Sequence, residues 1–407
     1  MDELRLSTAL DHLDPYAPLD DLEPLRDIVG SARVVAIGEN SHYIREFALL
    51  RHRVLRFLVE RCGFTVYAFE SGFSEGFAVD AWMRGEGSPD DIGALAETSI
   101  PCGTARLSEV HDALRWLRYR GGRFAGIDVP EAAGSLLPSL RPLSAYLAEA
   151  DPDALPLLDA ALATAERIAT TSMALAAPAW ARLDAAEQDA LTVALARLHH
   201  RFRAMRPSYV ARGGSRAYDV AMWRLQGACD TDYHVRAMAG SGLTGDGSAR
   251  EAYMAGSVRW HLDHAEPSDR FVLAAHNAHI QKTPVLFEGR LAALPMGHHL
   301  DAMLGGDYVS LGVTCGGGRT AALHNDESAP FGFRVDDTAL APPEDGSVEA
   351  LLAGTGFSLN DLRRVPDVGP RPDRIRLDSG YIRTPVLDAF DAIFHVPESS
   401  VSDETGL

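Results

Sequence analysis

Short apolar runs of strand length recur at 33–37, 65–70, 123–128, 270–275, 308–313 and, more weakly, 392–396. Between the first two, Phe47, Leu50, Val54, Phe57 and Leu58 fall at the 3.6-residue period of a helix, and Gly63 supplies its stop. Strand, helix, strand with continuously apolar strands predicts an α/β fold: a largely parallel central sheet covered by helices. From Ser139 to Asp263 the pattern lengthens. Ala-rich segments dominate, Leu191, Leu195, Leu198, Phe202 and Met205 share one helical stripe, and 216–227 and 250–262 also read as helices. The expected organisation is a first α/β half at 1–138, an inserted helical bundle at 139–265, a second α/β half at 266–396 and a loose tail at 397–407.

Composition refines this only slightly. At 407 residues, 46% apolar and 23% charged, the chain has the balance of a globule with a substantial core. Its 57 acids against 38 basic residues give a net charge of −19, which repels nucleic acid and anionic lipid and mildly favours a cationic small molecule. The opening Met1-Asp2-Glu3-Leu4-Arg5-Leu6 has no apolar signal core, and no run reaches membrane-spanning length. Cys62, Cys102, Cys229 and Cys315 form no Cys-x-x-Cys pair, so neither a zinc knuckle nor a disulfide framework is expected. These observations predict a cytoplasmic protein with no nucleic-acid or membrane partner; a small-molecule substrate and a monomer or homodimer are expected beside them.

Ligands of α/β sheets collect where loops leave the carboxyl ends of strands. Here four such ends carry ionisable groups: Gly38-Glu39-Asn40-Ser41-His42, Glu70-Ser71-Gly72, Asp128, and His276-Asn277-Ala278-His279. Each has a plain structural reading. Glu39 suits a solvated loop, Asn40 or Ser41 suits a helix cap, and Asp128 before Val129-Pro130 suits a turn. Glu70 is harder to set aside, because the apolar run before it carries it into a buried edge, where an acid needs a partner. The coincidence of all four is the signal. Other templates fail: there is no Gly-x-Ser-x-Gly, no His-Glu-x-x-His, and Gly316-Gly317-Gly318-Arg319-Thr320 lacks the spacing and lysine of a phosphate loop.

The ordered segments GENSH, LLRHRVLRFLVE, FES, REAYMAGSVRW, AAHNAHIQKTPV and ALPMGHHL resemble the erythromycin esterase family, whose members hydrolyse macrolide lactones. The resemblance runs from Arg33 to at least Val313, with 386–396 similar to the family's terminal strand. It implies catalytic roles for Glu39, His42, Glu70, His276 and Arg51, and places His279 and Arg250 at the cleft. Ser71 and Phe73 are expected substrate contacts beside them. Many relatives have Asp where this chain has Glu251, and Asn40-Ser41 inside the first motif also departs from them, which bears on the substrate more than on the reaction.

A lactone carbonyl is neutral and water a weak nucleophile, so a base is required; histidine, with an ordinary pKa of about 6.5, suits the task. The expected scheme makes His42 the base, Glu39 or Glu70 its orienting acid, and Arg51 and His276 the stabilisers of the oxyanion or donors to the departing alkoxide. On one regular helix His42 and Arg51 would lie about 13–14 Å apart along the axis and on opposite faces. They share a site only if His42 belongs to the loop before the helix; otherwise Arg51 pairs with Glu70 behind it. No cofactor or metal is expected. The rivals are a metal-dependent hydrolase using Glu39, His42, Glu70, His276 and His279, a biosynthetic tailoring enzyme of the same family acting on another lactone or ester, and a protein that binds without turnover.

Overall fold

The computed structural model describes residues 7–101, 104–287, 289–365 and 371–403. Its strands are β1 (Ser7–Ala9), β2 (Val34–Ile37), β3 (Val66–Gly72), β4 (Arg123–Asp128), β5 (Phe271–Ala274), β6 (Val285–Phe287), β7 (Arg290–Ala293), β8 (Tyr308–Asn325), β9 (Phe333–Ala339), β10 (Ser358–Asp361), β11 (Arg374–Leu377), β12 (Gly380–Arg383) and β13 (Ala392–Ser399). The fold is mixed α/β around one large sheet in the order β1-β10-β13-β8-β2-β5-β3-β4, with β9 hydrogen-bonded to β8. From β13 to β4 every neighbour is parallel. The β1, β10 edge and β9 are antiparallel. β6–β7 and β11–β12 are separate hairpins.

Alternation along the strands explains why both faces are covered. Val35, Ile37, Tyr67, Phe69 and Val272 pack on the helix Arg45–Cys62 through its Phe47, Leu50, Val54 and Leu58. Val34, Ala36, Val66, Ala68 and Leu273 point the other way, onto Met254, Val258 and Leu262. Full burial of each Val, Leu, Ile, Phe or Met among them stabilises the fold by about 1.5–3 kcal/mol. Gly63 closes the helix Arg45–Cys62 at φ 74°, a left-handed conformation that glycine adopts without a Cβ penalty.

Between β4 and β5 lie the helices Leu137–Ala150, Leu155–Ile168, Met173–Ala181, Ala185–Gly213, Ser215–Arg236 and Ser248–Asp263. The first five share a cluster that includes Leu140, Leu158, Leu195, Phe202 and Leu225. Ser248–Asp263, grouped with them by its sequence pattern, packs instead on the sheet, because its apolar residues match the face that β2 and β5 present. No helix among the described residues is long and apolar enough to cross a membrane. Cys62, Cys229 and Cys315 are free thiols, and Cys102 lies outside the described residues.

Two local expectations fail for one reason. Asn40 and Ser41 do not cap the helix Arg45–Cys62; Ile44 precedes it and offers no side-chain cap. The segment after Pro397 is no loose tail where it is described. β13 continues to Ser399, Val401 bridges to Ile44, and the Ser400 carbonyl accepts from Arg45 N–H at 3.0 Å. The Ser400 N–H and hydroxyl both donate to the Glu46 carboxylate at 2.7 Å, and Ser402 N–H donates to the Tyr43 carbonyl. The helix start is therefore satisfied by a remote part of the chain, a solution no local pattern encodes.

Candidate active site

β2 lies between β5 and β8, so the loops leaving β2 and β5 emerge side by side. Gly38 makes their contact possible: a Cβ there would stand 1.9 Å from Asn277 Oδ1. That side chain is fixed, since Asn277 exchanges two hydrogen bonds with the Val313 main chain. After Gly38 the chain turns through Glu39–Tyr43, with Tyr43 at φ 63°, a strained value for a non-glycine residue. Asn40, buried in this loop, accepts from Asp378 N–H at 2.8 Å.

His42 therefore sits in the loop, before the first helical turn, and folds back onto Glu39: Nδ1 lies 2.8 Å from Oε1. Arg51 reaches the other oxygen of the same carboxylate at 2.9 Å. Burial alone would raise the pKa of Glu39, but Arg51 and His42 outweigh it and hold the carboxyl at about 2. Burial would likewise lower His42; the bond to Glu39 prevails, and its pKa stands above the ordinary imidazole value. With Nδ1 committed to Glu39, Nε2 is the nitrogen left for chemistry.

His276 faces His42, their ring centroids 5.4 Å apart. Its Nδ1 accepts from Ala278 N–H at 3.1 Å, which puts the ring proton on Nε2. Burial, reinforced by His42, depresses its pKa and keeps it neutral. The Glu70–Ser71 step interrupts the ladder from β3 to β4, the kind of irregularity that re-aims a side chain. Glu70 Oε2 accepts from His276 N–H at 2.9 Å, and Oε1 lies 3.2 Å from both Arg250 and His279. Arg250 also grips the fully buried Asp128 at 2.9 and 2.5 Å. Burial would neutralise Glu70, but His279 first, then His42 and Arg250, hold it well below the carboxylate range.

These groups line a cleft that encloses about 1140 Å³ when the open space at its mouth is counted. The apolar part of its lining includes Phe69, Leu107, Val110, Met173 and Phe333.

A family model described as erythromycin esterase matches residues 59–399. The chain is 41% identical over 398 residues to an erythromycin esterase type II from Escherichia coli, covering 94% of each protein. The chain belongs to the erythromycin esterase family. A type I erythromycin esterase from Escherichia coli is 28% identical over 92% of each chain. The solved structure of a mutant of erythromycin esterase EreC in its open conformation superposes with a TM-score of 0.87 at 26% identity, covering 97% of this chain and 98% of that one.

Within this family member, Glu39, His42, Arg51, Glu70, Arg250, His276 and His279 all reach one cleft. Arg51 pairs with Glu39, not with Glu70 as the helical alternative required. Two expected substrate contacts lie elsewhere. Ser71 is fully buried in β3, and Phe73 packs edge-on against Phe77 and Trp260. Both follow Glu70 into the interior as the chain enters the helix Phe73–Met83, so neither lines the cleft. Sequence reasoning did not anticipate Glu251, whose Oε1 is 2.6 Å from His279 Nδ1, or Asp378, whose charge acts on both His42 and His276. Glu251 adjoins Arg250 in the helix motif; Asp378 has no local signal at all.

Among the described residues no three His, Cys, Asp or Glu side chains form a metal-ligand group. Arg51 is already bonded to Glu39, and Arg250 to Glu70 and Asp128.

Proposed function

We propose that this protein hydrolyses the lactone ester of an erythromycin-like macrolide, inactivating it, with water activated by His42 and no resident metal. The observation that carries this reading is the pairing of two imidazoles in opposite roles. His42 is held by Glu39 with Nε2 available, and His276 faces it with Nε2 protonated.

In the proposed reaction His42 Nε2 takes a proton from water as the oxygen attacks the lactone carbonyl. Glu39 stabilises the imidazolium that forms, and Arg51 fixes Glu39. His276 Nε2–H donates to the developing oxyanion, and the proton on His42 passes to the alkoxide as the ester C–O bond breaks. One water is added and nothing else is consumed. The guanidinium groups already paired with Glu39, Glu70 and Asp128 support metal independence, since a divalent ion would have to displace them.

The helices between β4 and β5 act in this reading as an insertion forming one wall, an assignment supported by Ser172, Met173, Ala174 and Arg250 at the cleft. A bulky, mostly apolar substrate suits that wall, and the net charge of −19 suits a small-molecule partner and a cytoplasmic protein better than nucleic acid. The test is to incubate the purified protein, dialysed against a strong chelator, with macrolides of different ring sizes. A mass gain of one water that His42→Ala abolishes is expected. Saturable binding without product, or activity restored only by a divalent ion, would overturn the proposal.

A further inference from the structure

We propose that Glu251 is a positioning residue: by holding His279 as a permanent imidazolium it keeps Glu70 fully engaged, and so leaves Glu39 as the carboxylate against which His42 works. The kinetic consequence rests on the hydrolytic reading above; the protonation state does not.

His279 lies on the short turn Asn277–Ile280, between two carboxylates. Nδ1 is 2.6 Å from Glu251 Oε1, and Nε2 is 3.2 Å from Glu70 Oε1. Carboxylate oxygens only accept, so both ring nitrogens must carry hydrogen, which a neutral imidazole cannot provide. Burial would strip the second proton, but Glu251 and then Glu70 overcome it and lift the pKa to about 10. Glu251 is itself anchored from a third element, its Oε2 accepting from Met296 N–H at 2.9 Å.

The remaining charges around the ring do not disturb this state. Arg250 is taken by Asp128 and Glu70, and burial keeps His276 neutral on the cleft side. His234, from the helix Ser215–Arg236, is pushed down to about 4 by burial, and His299, from Met296–Leu304, is also lowered by burial. His279 thus has no free nitrogen for proton transfer and cannot serve as a second base. Without the Glu251 charge its second proton loses its stronger hold. Glu70 would then face a neutral ring, and its unbalanced charge would act on His42, whose proton it already helps to retain.

The decisive measurement is an NMR titration of the protein with 15N-labelled histidine, the His279 signals being assigned by their absence in His279→Asn. In the unmodified protein both ring nitrogens should remain protonated beyond pH 8. In Glu251→Gln the titration should fall by about one pH unit or more, with the acid limb of kcat against pH moving upward and Glu251→Asp lying between. A purely structural role would lower the melting temperature and leave both titrations in place. A neutral His279 at pH 7.5 in the unmodified protein, or an unchanged titration in Glu251→Gln, overturns the inference. Absence of macrolide hydrolysis by the unmodified protein counts against the esterase reading alone, because the titration needs no substrate.

Discussion

The backbone N–H of Asn277 donates to the carbonyl of Glu39 at 2.8 Å. The residue after one imidazole is thereby bonded to the residue whose carboxylate holds the other. The approach leaves no room at Gly38, where an added Cβ would meet the Asn277 side chain at 1.9 Å. Gly38→Ala should therefore cost about 1–3 kcal/mol of stability as the two loops are forced apart. The expected result is a lowered melting temperature together with activity loss beyond that explained by unfolding, read by calorimetry and a turnover assay on the folded fraction.

His42 and Glu39 should behave as a unit. His42→Ala should lower kcat by about 10²–10⁴-fold with the circular dichroism spectrum unchanged. Only neutral His42 accepts a proton, and its pKa is raised, so activity should fall on the acid side with a midpoint above 6.5. Glu39→Gln removes the carboxylate that retains the proton, so its residual activity should fall at lower pH. A kcat profile from pH 5 to 9 checks both directions.

Removing residues beyond Ser399 should spare the sheet and loosen the loop. The deletion takes away the bonds of Ser400 to Glu46 and of Ser402 to Tyr43, while β13 keeps its pairing with β8. Misplacing the base by about 1 Å costs on the order of a hundredfold in rate. Activity should fall on that scale with a much smaller change in the urea midpoint.

Stability should be greatest in a window bounded by two opposite linkages. Glu39 is held at about 2, so its contribution is complete above its unfolded value near 4.5 and is lost as pH falls toward 2. His279 is lifted to about 10, so its contribution is complete below its unfolded value near 6.5 and is lost as pH rises through about 10. Urea midpoints measured from pH 3 to 10 should decline at both ends.

The sheet was legible because β2, β3, β4 and β5 are buried on both faces and read as unbroken apolar runs. The meeting of Glu39, His42, Glu70 and His276 in one cleft was legible because loops leaving the carboxyl ends of neighbouring parallel strands converge. β8 runs on through Gly316-Gly317-Gly318 to Asn325, whereas the apolar run marks only 308–313, because glycines carry no side chain to continue the pattern. Phe73 misled because an aromatic beside a site residue suits either a cleft or a core, and only packing against Trp260 decides. Asp378 and Ser402 reach the loop Glu39–Tyr43 through tertiary contacts that leave no trace in local periodicity.

The direct ladder from β2 to β5, Ile37 opposite Ala274, also fixes the order in which the molecule can become competent. Every helix from Leu137 to Asp263 is synthesised between those two partners, and such distant pairings form late because a long loop must close first. During refolding, helical signal should return before turnover does. A chain halted before Phe271 has its first imidazole but no neighbouring strand to bring the second, and is chemically silent however much of it has folded.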